Sequence, residues 1–158
     1  MSLVFSAAEI AVMPRIKYTQ HWNTKLLAQN HTTIRLPEKS GHLKANTLVV
    51  VQLGDLDLYV GRVRDKQEMA YGAIPQALLC TDCGYTGNGA LRIFRSFYGP
   101  DFGPNRLVAI VTVQRVGEPF DYHVWSDLLC HTFSVNAYDR WLKRRQNGLQ
   151  TGHVIAPD

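Results

Sequence analysis

The sequence predicts an α+β domain built as a small β-barrel with a helical insert and a C-terminal helical extension. Two observations predict the barrel: apolar or alternating runs of strand length recur through residues 15–116, and Gly, Pro and Asn separate them. A third observation, helical periodicity in 73–99 and again after 117, predicts the insert and the extension. At 158 residues, the chain has the length of one domain with its own core.

Five short runs form the predicted barrel. They lie near 15–19, 32–36, 47–53, 57–66 and 106–116. The third run is continuously apolar, and Gly54-Asp55 directly after it predicts a hairpin turn. The last run gives the strongest strand signal in the chain. In the second run, alternation places Ile34 on one face and both Thr33 and Arg35 on the other.

Helical patterns fill the rest of the chain. Segment 73–99 predicts two helical pieces, because Pro75 suits a first helical turn and CGYTGNG interrupts the pattern. HVWSDLLCH predicts a short amphipathic helix, and 134–148 predicts another, with Ser134 as its N-cap. We expect a barrel domain at 13–116 and a helical extension at 117–158 that packs on the same domain. Met13 could be a second start, which leaves open whether residues 1–12 belong to the fold.

Charge and cysteine content indicate the class of partner and the compartment. The formal net charge is +4 and the pI is about 9.1, which favours a polyanion such as RNA or a nucleotide. With only three Cys, we expect no disulfide framework and a reducing cytoplasm. No apolar run approaches the roughly 20 residues that span a bilayer, so we expect no membrane partner. No pattern indicates a cofactor.

Four segments resemble the ASCH domain, a branch of the PUA-like family of small β-barrels. They are KLLAQNHTTIR (25–35), KANTLVVVQ (44–52), GYTGNGALRIFRSFYG (84–99) and RLVAIVTVQRV (106–116). The resemblance covers roughly 15 to 116 and implies a PUA-like barrel. It also implies a cleft between the Thr-Ile-Arg strand and the helical insert, which binds RNA. In some members the cleft hydrolyses the amide of acetylated cytidine with a Lys, a Thr and an acidic residue, and in others a ribonuclease activity is assigned.

The chain departs from the family pattern at the implied catalytic Lys. That Lys lies three residues before the nucleophilic Thr, and counting back from Thr33 gives Asn30. A Thr hydroxyl reacts only when a neighbouring base accepts its proton, so His31 or Lys25 would have to replace the family base. His31 shares a strand face with Thr33. The nearest acidic residue is Asp82, one position out of register. The candidate catalytic residues are therefore Thr33, His31, Lys25 and Asp82.

The same resemblance suggests which residues bind RNA. Arg35 would bind phosphate, and the hydroxyls of Thr32 and Thr33 would contact a base or sugar. An ordinary exposed strand face is the alternative. Basic residues on two helices could extend the site, although a solvated helix face explains them as well. These residues are Arg92, Arg95, Arg144 and Arg145.

The CTDC motif at 80–83 is a weak metal signal. With Cys130 and His131 it could bind zinc, but a single CxxC favours two structural thiols, and we expect no metal. The expected function is therefore RNA or modified-nucleotide binding. The alternatives are a small hydrolase in the same cleft, either a ribonuclease or an acetylated-cytidine amidohydrolase, and a protein-interaction module.

Overall fold

The structure, a computed structural model, describes residues 3–18 and 22–130. Five strands and four α-helices form the described part, together with short 3₁₀ helices, of which Trp22–Leu27 matters most for the site. The strands are β1 Arg15–Tyr18, β2 Asn30–Arg35, β3 Leu48–Leu53, β4 Leu56–Ala70 and β5 Leu107–Arg115. The helices are α1 Ala7–Val12, α2 Gln76–Cys83, α3 Gly87–Tyr98 and α4 Tyr122–Cys130.

The strands form one curled sheet with the shape of half a barrel, in the order β1-β3-β4-β5-β2. The α+β class is therefore confirmed, and all five strands lie where the sequence predicts them. The sheet does not close into the predicted barrel, because no ladder in the described residues joins β1 to β2. β1 pairs with β3 in parallel, and the other strand pairs are antiparallel. The two terminal strands of the sheet therefore each keep one free edge.

The β3–β4 hairpin shows why the strand ends are harder to predict than the strands. Gly54 adopts a positive φ of 58°, as the predicted turn at Gly54-Asp55 requires. β4 continues to Ala70, beyond the predicted end at 66, and pairs with β5 as far as Leu107. Its second half is polar and gives a weaker strand signal than the apolar runs. It becomes strand because the neighbouring β5 supplies a ladder of backbone partners.

Apolar clusters pack on both faces of the sheet. The largest joins Val51, Val111 and Val113 of the sheet to Leu26 of the 3₁₀ helix and Leu128 of α4. The first helix after residue 117 therefore packs on the sheet, whereas the predicted helix at 134–148 lies outside the described residues. No helix in the described part of the chain is long and apolar enough to cross a membrane.

Two further clusters position the remaining helices. Ile34 and Ile110 pack with Phe94 of α3, which holds the helical insert beside β2. Val50 and Val60 pack with Met13, against which Phe5 and Ile10 lie partly buried. The N-terminal segment thus contacts the sheet, and a capping box between Ser6 and Glu9 begins α1.

Candidate functional site

The candidate site lies along the free edge of β2. Gln29 accepts a hydrogen bond from the backbone N–H of Arg115 at 2.8 Å, next to the Asn30↔Gln114 pair that opens the ladder. Because bonded and non-bonded pairs alternate in an antiparallel ladder, the backbone groups of Thr32 and Ile34 point away from β5. They face the free edge, on the side where β1 and the helices lie.

Side chains cover this edge. Lys25 Nζ donates to the carbonyl of Thr32 at 2.8 Å, and Tyr98 OH donates to the carbonyl of Ile34 at 3.1 Å. From the strand itself, Arg35 Nη2 donates to the carbonyl of Lys17 in β1 at 2.7 Å. We call this gap between the free edges of β1 and β2 the seam. Side chains bridge it where a closed barrel would have a backbone ladder.

A cleft of about 240 Å³ opens along the seam. Lys17 and Tyr18 of β1 line one side, and Thr33, Ile34 and Arg35 of β2 line another. Lys25 and the end of α2 form its inner part, and α3 contributes an aromatic wall. The residues from the two helices are Asp82, Cys83, Ile93, Phe94, Phe97 and Tyr98. The cleft therefore combines an apolar wall with buried and exposed charges.

A buried ion pair lies in the cleft. Lys25 Nζ is 3.2 Å from Asp82 Oδ1, and only 7% and 4% of the two residues are exposed. Thr32 Oγ1 also donates to Asp82 Oδ1, at 3.0 Å. Both contacts use Oδ1, and Oδ2 accepts no hydrogen bond from a described residue. Burial lowers the pKa of Lys25, the Asp82 carboxylate opposes that effect, and the Arg35 guanidinium adds to it.

A second group of polar contacts surrounds Tyr18. Its hydroxyl forms a 2.6 Å hydrogen bond with His31 Nε2, and burial raises its pKa. Lys25 Nζ lies 5.4 Å and Arg35 Cζ 5.2 Å from the centroid of its ring. Arg35 Nε also donates to Thr33 Oγ1 at 3.2 Å. One tyrosine ring thus contacts both Lys25 and Arg35.

The structure brings Lys25, Asp82, Thr33 and Arg35 to one cleft, with Thr32 bonded to its carboxylate. His31 shares the face of Thr33 as expected, but its Nε2 contacts Tyr18 and it does not line the cleft. The predicted basic residues of the insert lie elsewhere. Arg92 and Arg95 are exposed outside the cleft lining, and Arg95 donates to the carbonyl of Phe102. Arg144 and Arg145 lie outside the described residues.

Lys17, Tyr18 and Tyr98 were not candidates in the sequence. Tyr98 belongs to a run of aromatic residues with the spacing of an ordinary helical core, and nothing local marks it as a cleft residue. Lys17 and Tyr18 precede a segment that carries no motif. Only the position of β1 across the seam from β2 identifies them.

The arrangement can bind an anion at Arg35 and Lys17, accept a hydrogen bond at Asp82 Oδ2, and hold a planar group against Phe97 and Tyr98. Cys80 is exposed and Cys83 buried on α2, and no described group of three or more His, Cys, Asp or Glu could hold a metal ion. Comparison with known proteins finds no matching family model, curated protein or solved structure.

Proposed function

We propose that the protein binds RNA or a modified nucleotide in the seam cleft, as the resemblance to ASCH domains implies. The observation that carries this proposal is the combination of Arg35 at the seam with the aromatic wall of α3 and the buried acceptor at Asp82. A phosphate pairs with a guanidinium, a base stacks on aromatic rings, and a carboxylate accepts from a base N–H.

The size of the cleft restricts the ligand. Ordinary small-molecule sites measure about 300–1,000 Å³. At about 240 Å³, the cleft suits one nucleobase with part of its sugar and phosphate rather than several stacked bases. A longer RNA would therefore place a single nucleotide in the cleft and contact the surface with the rest.

Replacement of Arg35 tests the proposal. Arg35→Ala should weaken binding of short single-stranded RNA by roughly 1–3 kcal/mol, because a charge-assisted, two-pronged contact is lost. Arg35→Lys should recover only part of this loss, because Lys keeps the charge but not the planar fork. Fluorescence anisotropy measures both affinities, and circular dichroism checks folding.

Arg92→Ala is the matched control, because Arg92 is exposed and outside the cleft lining. It removes the same charge from the surface and should change affinity little. Equal affinities of Arg35→Ala and the wild type would refute cleft binding. Equal losses in Arg35→Ala and Arg92→Ala would show that only general surface charge attracts RNA.

A hydrolase in the same cleft is the second candidate, and one observation favours it. Lys25 is a buried amine with a lowered pKa in the cleft that Thr33 also lines, so it could accept the proton of the Thr33 hydroxyl. Turnover of acetylated cytidine and of short RNA by wild type, Thr33→Ala and Thr33→Ser tests this role. Activity that survives Thr33→Ala would exclude Thr33 as the nucleophile.

A further inference from the structure

We propose that Lys25 forms a reversible covalent imine with a small aldehyde or 2-oxo acid that enters the seam cleft. This reaction uses Lys25 as the nucleophile itself and does not depend on nucleotide binding. The substrate class is a carbonyl compound that also carries a carboxylate or phosphate. Four features of the cleft carry the inference: an amine on a residue that lines the cleft, an adjacent proton acceptor, an apolar wall and a nearby anion site.

The position of the amine is the first feature. Lys25 Nζ makes two hydrogen bonds, to Thr32 O at 2.8 Å and to Asp82 Oδ1 at 3.2 Å. An ammonium group has three N–H donors, so one donor of Lys25 is left beyond these two hydrogen bonds. The side chain is nearly buried, and the residue belongs to the lining of the cleft.

The charge state of the amine is the second feature. An imine forms from the neutral amine, and buried lysines become neutral more readily than exposed ones. Burial and the Arg35 guanidinium both lower the pKa of Lys25, although Asp82 acts in the opposite direction. The apolar side chains of Ile93 and Phe94 line the same cleft and make part of its wall apolar.

The carboxylate of Asp82 completes the proton transfers. The lone pair of neutral Nζ attacks the carbonyl carbon, and the C=O π electrons move to oxygen. The positively charged nitrogen gives one proton to Asp82, which lies 3.2 Å away, and Asp82 passes that proton to the oxygen. The nitrogen of this neutral carbinolamine then gives its second proton to Asp82 and forms the C=N bond, while the hydroxyl takes the proton from Asp82 and leaves as water. One amine and one carbonyl thus give one imine and one water, with no oxidant or reductant.

Arg35 and Lys17 select the anionic partner group. Lys25 Nζ and Arg35 Cζ lie over the same Tyr18 ring, at 5.4 Å and 5.2 Å from its centroid. Both residues line the cleft, and the Arg35 charge acts on Lys25, so a carbonyl compound that carries a carboxylate can occupy the cleft beside both groups. The Lys25–Asp82 pair could instead serve only to stabilise the fold. That role alone does not explain why the pair faces a cleft with a carboxylate oxygen that no described residue bonds.

Reductive trapping tests the inference on the wild-type chain. The folded protein is incubated with glyoxylate, an aldehyde that carries a carboxylate, and sodium cyanoborohydride, and peptide mass mapping locates the reduced adducts. Lys25 should be labelled faster than Lys17, because burial lowers the pKa of Lys25 and so raises the fraction of its amine that is neutral. Lys17 is a suitable internal control, because it lines the same cleft and is exposed.

Three comparisons make the outcome decisive. Glyoxylate should label Lys25 faster than the neutral acetaldehyde, and Arg35→Ala should remove that difference without stopping the labelling. In urea, Lys25 and Lys17 should react alike, which shows that the preference comes from the fold. Labelling of exposed lysines with Lys25 unmodified in the folded protein would overturn the proposal. Because the readout is a mass, a failure to bind RNA leaves this test intact.

Discussion

Breaking the Lys25–Asp82 pair from one side should destabilise the fold strongly, whereas replacing both partners should not. Asp82→Asn keeps the shape of the side chain and an acceptor for Thr32, but it leaves the Lys25 charge buried without its partner. Breaking a buried pair in this way costs about 3–5 kcal/mol. Lys25→Met, which leaves the carboxylate unpaired, should cost a similar amount.

The distance between the two charges gives the size of the interaction energy between Lys25 and Asp82. At 3.2 Å and an effective dielectric constant of about 20, two unit charges interact by about 5 kcal/mol. The double variant has no buried charge, and Asn at position 82 still accepts from Thr32. It loses the hydrogen bond from Lys25 to the Thr32 carbonyl, worth about 1 kcal/mol. The double variant should therefore lie within about 1–2 kcal/mol of the wild type, far from the sum of the single losses.

Urea unfolding at neutral pH, followed by circular dichroism, measures all four free energies of unfolding, provided that the slopes with urea agree. The reasoning would be refuted if each single variant lost less than about 1 kcal/mol of unfolding free energy and the double variant lost the sum of the two. Exposed ion pairs behave in that way.

The pH dependence of stability gives an independent check on the direction of the pKa shift of Lys25. The pKa of Lys25 lies below its ordinary value of 10.5, and Asp82→Asn removes the opposing charge and lowers it further. At pH values between the pKa of Lys25 in the folded protein and 10.5, Lys25 holds a proton in the unfolded chain that it has released in the folded chain. The stability of Asp82→Asn should therefore rise relative to the wild type as pH increases toward that value. A relative stability that falls over this range would contradict the assignment.

Three further predictions concern the core. Gly61→Ala should destabilise the fold by about 1–3 kcal/mol, because its Cβ would lie 2.7 Å from Val113 Cγ1; an unchanged urea midpoint would contradict this close approach. Tyr59→Phe should cost about 1–3 kcal/mol in urea unfolding, because the buried carbonyl of Leu26 loses its 2.8 Å partner. Leu128→Ala should cost about 2–5 kcal/mol if α4 belongs to the core, and a thermal shift of less than a degree would show that it does not.

The sequence identifies strands well and the site only in part. β3 and β5 are predicted closely, because buried β-branched runs are strand signals at any position in a sheet. Lys25 illustrates the limit: counting along the chain places it too far from Thr33, whereas the 3₁₀ helix carries its amine back over the carbonyl of Thr32. Its contact with Asp82 joins residues 57 positions apart, and no local pattern encodes such a pair.

The covered edge of β2 also bears on how copies of the chain behave toward one another. An uncovered strand edge offers its N–H and C=O groups to any other strand, and proteins commonly block such edges with lysines. Lys25 and Tyr98 occupy the carbonyls of Thr32 and Ile34 and so withhold them from a second copy. Variants that lose these side chains should therefore aggregate faster at high concentration, and selection against aggregation would preserve these residues independently of any ligand.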